Sequence, residues 1–280
     1  MKILVIGNCQ ARPLSQLLCD GNLNTALKPI IVHLAKPDDV LRDRALMSEA
    51  DIIVAQNTAK SFEPEHLRSN KVKEEYNDKT IIWPNVFYIG QTPYLRYVTH
   101  KTAGRLIGPL EAYHDLRFLS NWYSERLGIS YPEIEIDVDE VSAKSLDELQ
   151  RREAQCDIEI SDIIENYGTL KRIFFTFNHP SRLILEALAK RIAEKAGIKR
   201  QEVSKTKWEP LGRIVPPSIF DNPPRADSQF MGLVTNDEGR IVRYTYSEES
   251  LCKAFFDLYD KSINYLADPA SLRITPNYGS

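Results

Sequence analysis

The sequence predicts an α/β fold: a parallel, doubly wound sheet flanked by helices, with helical insertions and a proline-rich C-terminal region. Three observations point there. Short apolar, β-branched runs recur through the first hundred residues, each followed by a break and a helical stretch. Within a run the apolar residues are consecutive, as in strands buried on both faces. The same strand-to-helix step returns near residue 175.

Ile3, Leu4, Val5 and Ile6 form the first strand, broken at Gly7. ARPLSQLL (11–18) is the first helix, with Pro13 in a first turn that tolerates proline. PIIVHLA (29–35) reads as a second strand and PDDVLRDRALMSEA (37–50) as a helix, acidic at its start where the dipole favours acids. DIIVAQN (51–57) is a third strand, and KTIIWPNVFYIG (79–90) a fourth, interrupted by Pro84. Residues 94–130 read as largely helical, with breaks at Gly104, Gly108 and Pro109, and the acid-rich stretch 133–165 as a solvated helix face with a connecting loop. In KRIFFTFNHPSRLILEALAKRIAEKAG (171–197), Ile173 to Phe177 make a strand and Pro180 opens a helix. Leu185, Leu188 and Ile192 share one face of that helix, and Gly197 ends it. Residues 247–266 read as a last helix. The expected organisation is an α/β domain over 1–220 with a helical insertion at about 94–165, and an extension, 221–280, packed on it.

A net charge of −3 gives no general reason to expect nucleic acid as a partner. No apolar run reaches the roughly 20 residues of a membrane span, and the opening strand lacks the pattern of an export signal. The cysteines, Cys9, Cys19, Cys156 and Cys252, show neither a CxxC pair nor metal-ligand spacing with histidine. The expectation is a cytoplasmic protein with reduced thiols and no metal. The absence of GxGxxG and of a P-loop argues against dinucleotide binders and P-loop NTPases.

Two turns carry reactive side chains: GNCQ after the first strand and FNHPS after the strand near 175. Both lie between a strand end and a helix start, the rim where open α/β sheets bind ligands. A thiol at a helix N-terminus is in a field that favours the thiolate, and an imidazole beside it shuttles protons. Cys9 and His179 are therefore the candidate nucleophile and base. Backbone N–H groups of residues 9–11, with the amides Asn8, Gln10, Gln56, Asn57 and Asn178, are candidates to stabilise an oxyanion or bind substrate. The other cysteines read as packing. Cationic stretches form a second feature: Arg96, His100, Lys101 and Arg105 among aromatics, and Lys190 to Lys207 further on. Arginines with aromatics suit a phosphorylated nucleotide carrier such as coenzyme A, with Arg12, Arg96, Lys101, Arg105 and Arg182 as its contacts.

The order of serine-like turn and late histidine resembles SGNH hydrolases, with cysteine in place of serine and Thr176 where such enzymes carry an acid. The segments ILVIGNCQA, IIWPNVFYIGQTPYL, IGPLEAYHD and CDIEISDIIENYGTLKRIFFTFNHPSRLI resemble, in this order, the WcbI-type polysaccharide biosynthesis enzymes. Thr92 stands where that family is expected to have a histidine. The resemblance implies an SGNH-like fold and a coenzyme A-dependent acetyltransferase acting on a sugar hydroxyl of a capsular or surface polysaccharide. It puts Cys9 and His179 at the reactive positions, Asn8, Gln10 and Asn178 beside them, and His114 in the site. Two versions of the transfer stay open: attack by Cys9 through an acyl-enzyme, or direct attack by a sugar deprotonated by His179. The alternatives are an esterase or thioesterase using the same pair, and a non-catalytic carbohydrate- or nucleotide-binding protein.

Overall fold

The computed structural model describes residues 1–19, 26–132, 134–198, 209–221, 228–236 and 238–276. Lys199, Arg200, Lys205 and Lys207 of the second cationic stretch lie outside the described residues. The chain divides into two compact units. Met1–Phe87, Leu146–Ile173 and His179–Leu211 form one; Tyr88–Ser145, Phe174–Asn178 and Gly212–Ser280 form the other. Each unit interleaves segments that a reading along the chain treats as contiguous.

The first unit is built on a four-stranded parallel sheet: β1 (Ile3–Gly7), β2 (Ile30–Ile31), β3 (Ile52–Gln56) and β4 (Thr80–Trp83), in the order β2-β1-β3-β4. Every residue of β1 is buried. Such a strand is held mainly by apolar burial, worth about 1.5–3 kcal/mol for each large aliphatic side chain. Val5 lies opposite Val54, and Val54 opposite Ile81. Because β2 and β3 flank β1 on opposite sides, the strand order reverses at β1, and the crevice beyond its carboxyl end is the place such sheets offer a ligand. Helices α1 (Ala11–Leu18), α2 (Val40–Glu49) and α3 (Ser69–Glu75) connect the strands.

Strand and helix ends differ from expectation in instructive ways. β2 is only two residues long, because Val32–Leu34 coil into a 3-10 turn that leaves His33 and Leu34 exposed. β4 stops at Trp83, since Pro84 has no N–H to extend the ladder.

In the second unit, residues 94–115 hold three strands and their turns where helix was expected. β5 (Leu95–His100) pairs antiparallel with β6 (Gly104–Arg105) and β7 (Tyr113–Asp115). Tyr97, Val98 and Thr99 favour a pleated strand, and Gly104, at φ +82°, takes the left-handed turn that reverses the chain. Helix is confined to α4 (Leu116–Leu127), capped by the Asp115 carboxylate, which accepts the Arg117 N–H, and closed by Gly128 at φ +66°.

The later elements are α5 (Val138–Glu153), α6 (Ser161–Tyr167), β8 (Phe174–Thr176), β9 (His179–Pro180) and α7 (Arg182–Lys195). Pro180 belongs to β9, so α7 begins at Arg182 with Ser181 as its N-cap residue. Leu185, Leu188 and Ile192 are fully buried, as their spacing predicts, and in the first unit α7 packs on α1. The chain continues in the second unit through the hairpin β10 (Phe230–Thr235) and β11 (Ile241–Tyr246). α8 (Glu248–Lys261) and α9 (Ile263–Leu266) lie where the last helix was expected, and β12 (Leu272–Thr275) pairs with β5. Among the described residues no helix is long and apolar enough to cross a membrane.

Gly7 ends β1 against the fully buried indole of Trp83. A Cβ there would lie 2.8 Å from Trp83 Cζ2 and 3.2 Å from Gln56 Cβ. Gly7→Ala is expected to lower unfolding free energy by about 1–3 kcal/mol, read from urea denaturation; an unchanged midpoint would show that Trp83 yields without cost.

Candidate active site

Cys9 and His179, the candidate nucleophile and base, lie in the first unit, each in a segment that leads into a helix. Cys9 is half-buried in the turn between β1 and α1. His179, also half-buried, opens β9 ahead of α7.

The turn around Cys9 is held by amides. Gln56, at the end of β3, accepts the Asn8 backbone N–H at 2.9 Å and donates through Nε2 to Gln10 Oε1 at 3.3 Å. Gln10 Nε2 donates to the Val86 carbonyl at 2.7 Å. Asn8 Oδ1 accepts the Gln10 N–H at 3.0 Å while its Nδ2 reaches Asn85 Oδ1 at 3.1 Å. The Ala11 N–H closes on the Asn8 carbonyl at 3.0 Å. This revises the expected roles. Gln10 is fully buried and Gln56 nearly so, and both spend their amides on the scaffold. The N–H groups of residues 10 and 11, offered above as oxyanion donors, already have acceptors inside the turn. Asn57 is likewise structural: its Oδ1 accepts the Ser69 hydroxyl at 3.1 Å near the start of α3.

Asn85 and Arg152 were missed. Arg152, in the acid-rich stretch read as a solvated face, donates to the carbonyls of Asn85 at 2.9 Å and Phe87 at 3.3 Å. It fixes the segment that receives Asn8 and Gln10. Asn85 carries the same signal as the other amides, a polar amide just past a strand end; nothing local marks Arg152.

Asn178 is placed in the second unit, where its Oδ1 accepts the hydroxyls of Tyr113 (2.6 Å) and Thr176 (3.0 Å), and its Nδ2 reaches the Tyr97 hydroxyl at 3.3 Å. Thr176 brings a hydroxyl, so no carboxylate stands at that position. His114, expected to line the site, is fully buried in the second unit. Its Nδ1 meets the Tyr259 hydroxyl at 3.0 Å and its Nε2 the Leu106 carbonyl at 3.1 Å. A neutral ring donating from Nε2 and accepting at Nδ1 satisfies all three groups, a core role.

The five cations separate. Arg96 is buried and donates to the carbonyls of Pro93 (2.6 Å) and Leu95 (2.9 Å), closing its own loop. Arg182 is buried on Glu186 at 2.6 Å. Both are committed to the fold. Lys101 and Arg105 are exposed in the second unit, Arg105 lying over the Tyr97 ring at 4.0 Å. Arg12 is exposed in the first turn of α1.

Electrostatics set the protonation states. The N–H groups of Cys9 and Gln10 favour the Cys9 thiolate, as expected at a helix start, but burial outweighs them and pushes the thiol up to about 11. Burial also holds the His179 imidazole down to about 4. At neutral pH Cys9 is therefore a thiol and His179 a neutral imidazole, a group able to accept a proton. Among the described residues no cluster of histidine, cysteine and acids is arranged to hold a metal.

A family model described as polysaccharide biosynthesis enzyme WcbI matches residues 2–201, a span that includes both turns. No curated protein matches. Among solved structures the chain is similar to WcbI, described as a novel polysaccharide biosynthesis enzyme, in its native form without a disulfide bond between coenzyme A and one of its cysteines. The likeness has a TM-score of 0.66 at 19% identity, over 92% of this chain and 88% of that one, and it establishes a shared fold.

Two measurements check the electrostatics. With its pKa near 11, Cys9 should be alkylated by iodoacetamide at pH 7.5 roughly a hundredfold more slowly than a thiol titrating at 9.0, resolved by peptide mass spectrometry. His114 and His179 are both held near 4, so the unfolded chain binds more protons than the fold below about pH 6.5. Stability is thus full above pH 6.5 and declines as pH falls toward 4, by roughly 3 kcal/mol for the fully buried His114 alone. A urea midpoint that stays level across this window would refute the assignment.

Proposed function

The chain belongs to the WcbI family of polysaccharide biosynthesis enzymes, and from that membership and the chemistry of the site we propose that it transfers an acyl group from coenzyme A to a sugar hydroxyl of a capsular or surface polysaccharide. The observation that carries this reading is positional: Cys9 and His179 lie in one unit, each ahead of a helix, with burial favouring the thiol and the neutral imidazole. The solved WcbI is described in terms of coenzyme A and a cysteine, and we take Cys9 as the residue that would meet the donor's sulfur here.

In this reading His179 accepts the proton of the sugar hydroxyl as its oxygen attacks the thioester carbonyl. The tetrahedral intermediate collapses, the carbon–sulfur bond breaks, and the imidazolium returns the proton to the departing coenzyme A thiolate. Cys9, protonated at neutral pH, shapes the place of the thioester sulfur and needs no covalent turn. The direct version of the transfer is favoured over the acyl-enzyme because a thiol pushed up to about 11 is a poor standing nucleophile. With water as acceptor the same residues would make a hydrolase.

His179→Ala should cut kcat by about 10²–10⁴ with acetyl-coenzyme A and an oligosaccharide acceptor. Cys9→Ser should stay within about tenfold of the parent, with no acyl adduct on Cys9 by intact-mass analysis. A trapped adduct would establish the covalent route instead. The acid limb of kcat/KM should have its midpoint near 4, well below that of an ordinary histidine. Acetyl-coenzyme A cleavage equally fast without sugar would make the protein a hydrolase.

A further inference from the structure

A cleft of about 680 Å³ flanks the edge strand β2 in the first unit. Its volume lies within the roughly 300–1,000 Å³ typical of small-molecule sites. Leu27, Ile31, Leu34 and Leu46 supply its apolar lining, and Arg12, Lys28 and Arg42 its cations. Leu34 is 60% exposed, a large aliphatic side chain left in water at the cleft.

Among the described residues the charge lining the cleft is unbalanced. The lining acid, Asp39, is taken by Arg42 at 3.1 Å, and Arg42 also holds Asp43 at 2.8 Å. Among the described residues neither Arg12 nor Lys28 makes an ion pair. The field of Arg12 is felt at His33, where it joins burial in holding the imidazole below its ordinary value. Two cations without an ion pair among the described residues, beside an aliphatic surface, match an anion that carries an apolar chain. A guanidinium pairs with a phosphate through two parallel N–H donors, and an ammonium adds a point charge.

We propose that this cleft binds a phosphate or diphosphate ester of a long apolar chain, with Arg12 and Lys28 on the phosphate and the four aliphatic side chains on the chain. Resting on the acyl-transfer reading above, the ligand is the amphiphile on which the saccharide acceptor is carried. Arg12 follows Cys9 by three residues, so a phosphate held by its guanidinium keeps the attached sugar in the neighbourhood of the reactive turn.

The test is calorimetric titration of the full chain with farnesyl diphosphate below its micellar concentration, beside farnesol, inorganic phosphate and coenzyme A. Farnesyl diphosphate is expected to bind at least about tenfold more tightly than farnesol or phosphate, and more weakly as salt rises. Arg12→Gln and Leu34→Asp should each cost it about tenfold; both side chains are exposed, so both variants should fold, which circular dichroism checks. Equal binding of farnesol, equal binding of phosphate, or indifference to either variant would overturn the proposal. So would displacement by coenzyme A with the same loss on Leu34→Asp, which would make the cleft the donor's. Acylation of a soluble sugar, measured separately, distinguishes the two readings: if it persists without farnesyl diphosphate binding, only the cleft assignment fails; if binding holds without acylation, only the acyl-transfer reading fails.

Discussion

The Gln56 amide is buried between the ends of β1 and β3, where it accepts the Asn8 N–H and donates to Gln10. Much of the site depends on this small lattice. A turn between a buried strand and a helix leaves backbone donors without sheet partners, and each one left unsatisfied in the interior costs about 1–3 kcal/mol. Here the side-chain oxygens of Gln56 and Asn8 accept the N–H groups of Asn8 and Gln10, Asn85 braces the Asn8 amide, Gln10 ties to the Val86 carbonyl, and Arg152 holds the carbonyls of that segment. The chain is thereby fixed close behind Cys9, and the thiol is kept half-buried at the place where the strand order reverses.

The same tightness determines the electrostatics. Backbone N–H groups at the start of α1 pull the thiol toward ionisation, yet withdrawal from water opposes a charged sulfur more strongly. Burial acts on His179 with the opposite sign, since there the charged form is the protonated one. One physical cause thus leaves a protonated thiol at Cys9 and an unprotonated imidazole at His179 at neutral pH.

Much of the first unit was legible along the chain. Consecutive aliphatic residues marked β1 and β3 because a strand covered on both faces has no polar side to show. The apolar stripe at 185, 188 and 192 marked α7, and Gly197 its end. Residues 94–115 were less legible, since a stretch mixing tyrosine, arginine and histidine has no clear period, and its pairing with β12 is made by residues far along the chain. Polar residues misled for a related reason. His114 and Arg96 look like site residues in a sequence and are satisfied core groups in the fold. The Tyr259 hydroxyl that meets His114 is distant in sequence, and Arg96 turns back on the carbonyls of Pro93 and Leu95 beside it.

By itself the sequence determined that β1 and β3 are buried strands and α7 an amphipathic helix, and that a cysteine and a histidine each occupy a segment leading into a helix. Those properties are local: they follow from side-chain period, β-branching and the backbone limits of glycine and proline. Tertiary structure alone decided which amides hold the turn, which arginines are spent on carbonyls, and the protonation of Cys9 and His179. Hydrogen-bond partners and the depth of water exclusion are properties of neighbours brought together from separate parts of the chain, and no period within one segment records them.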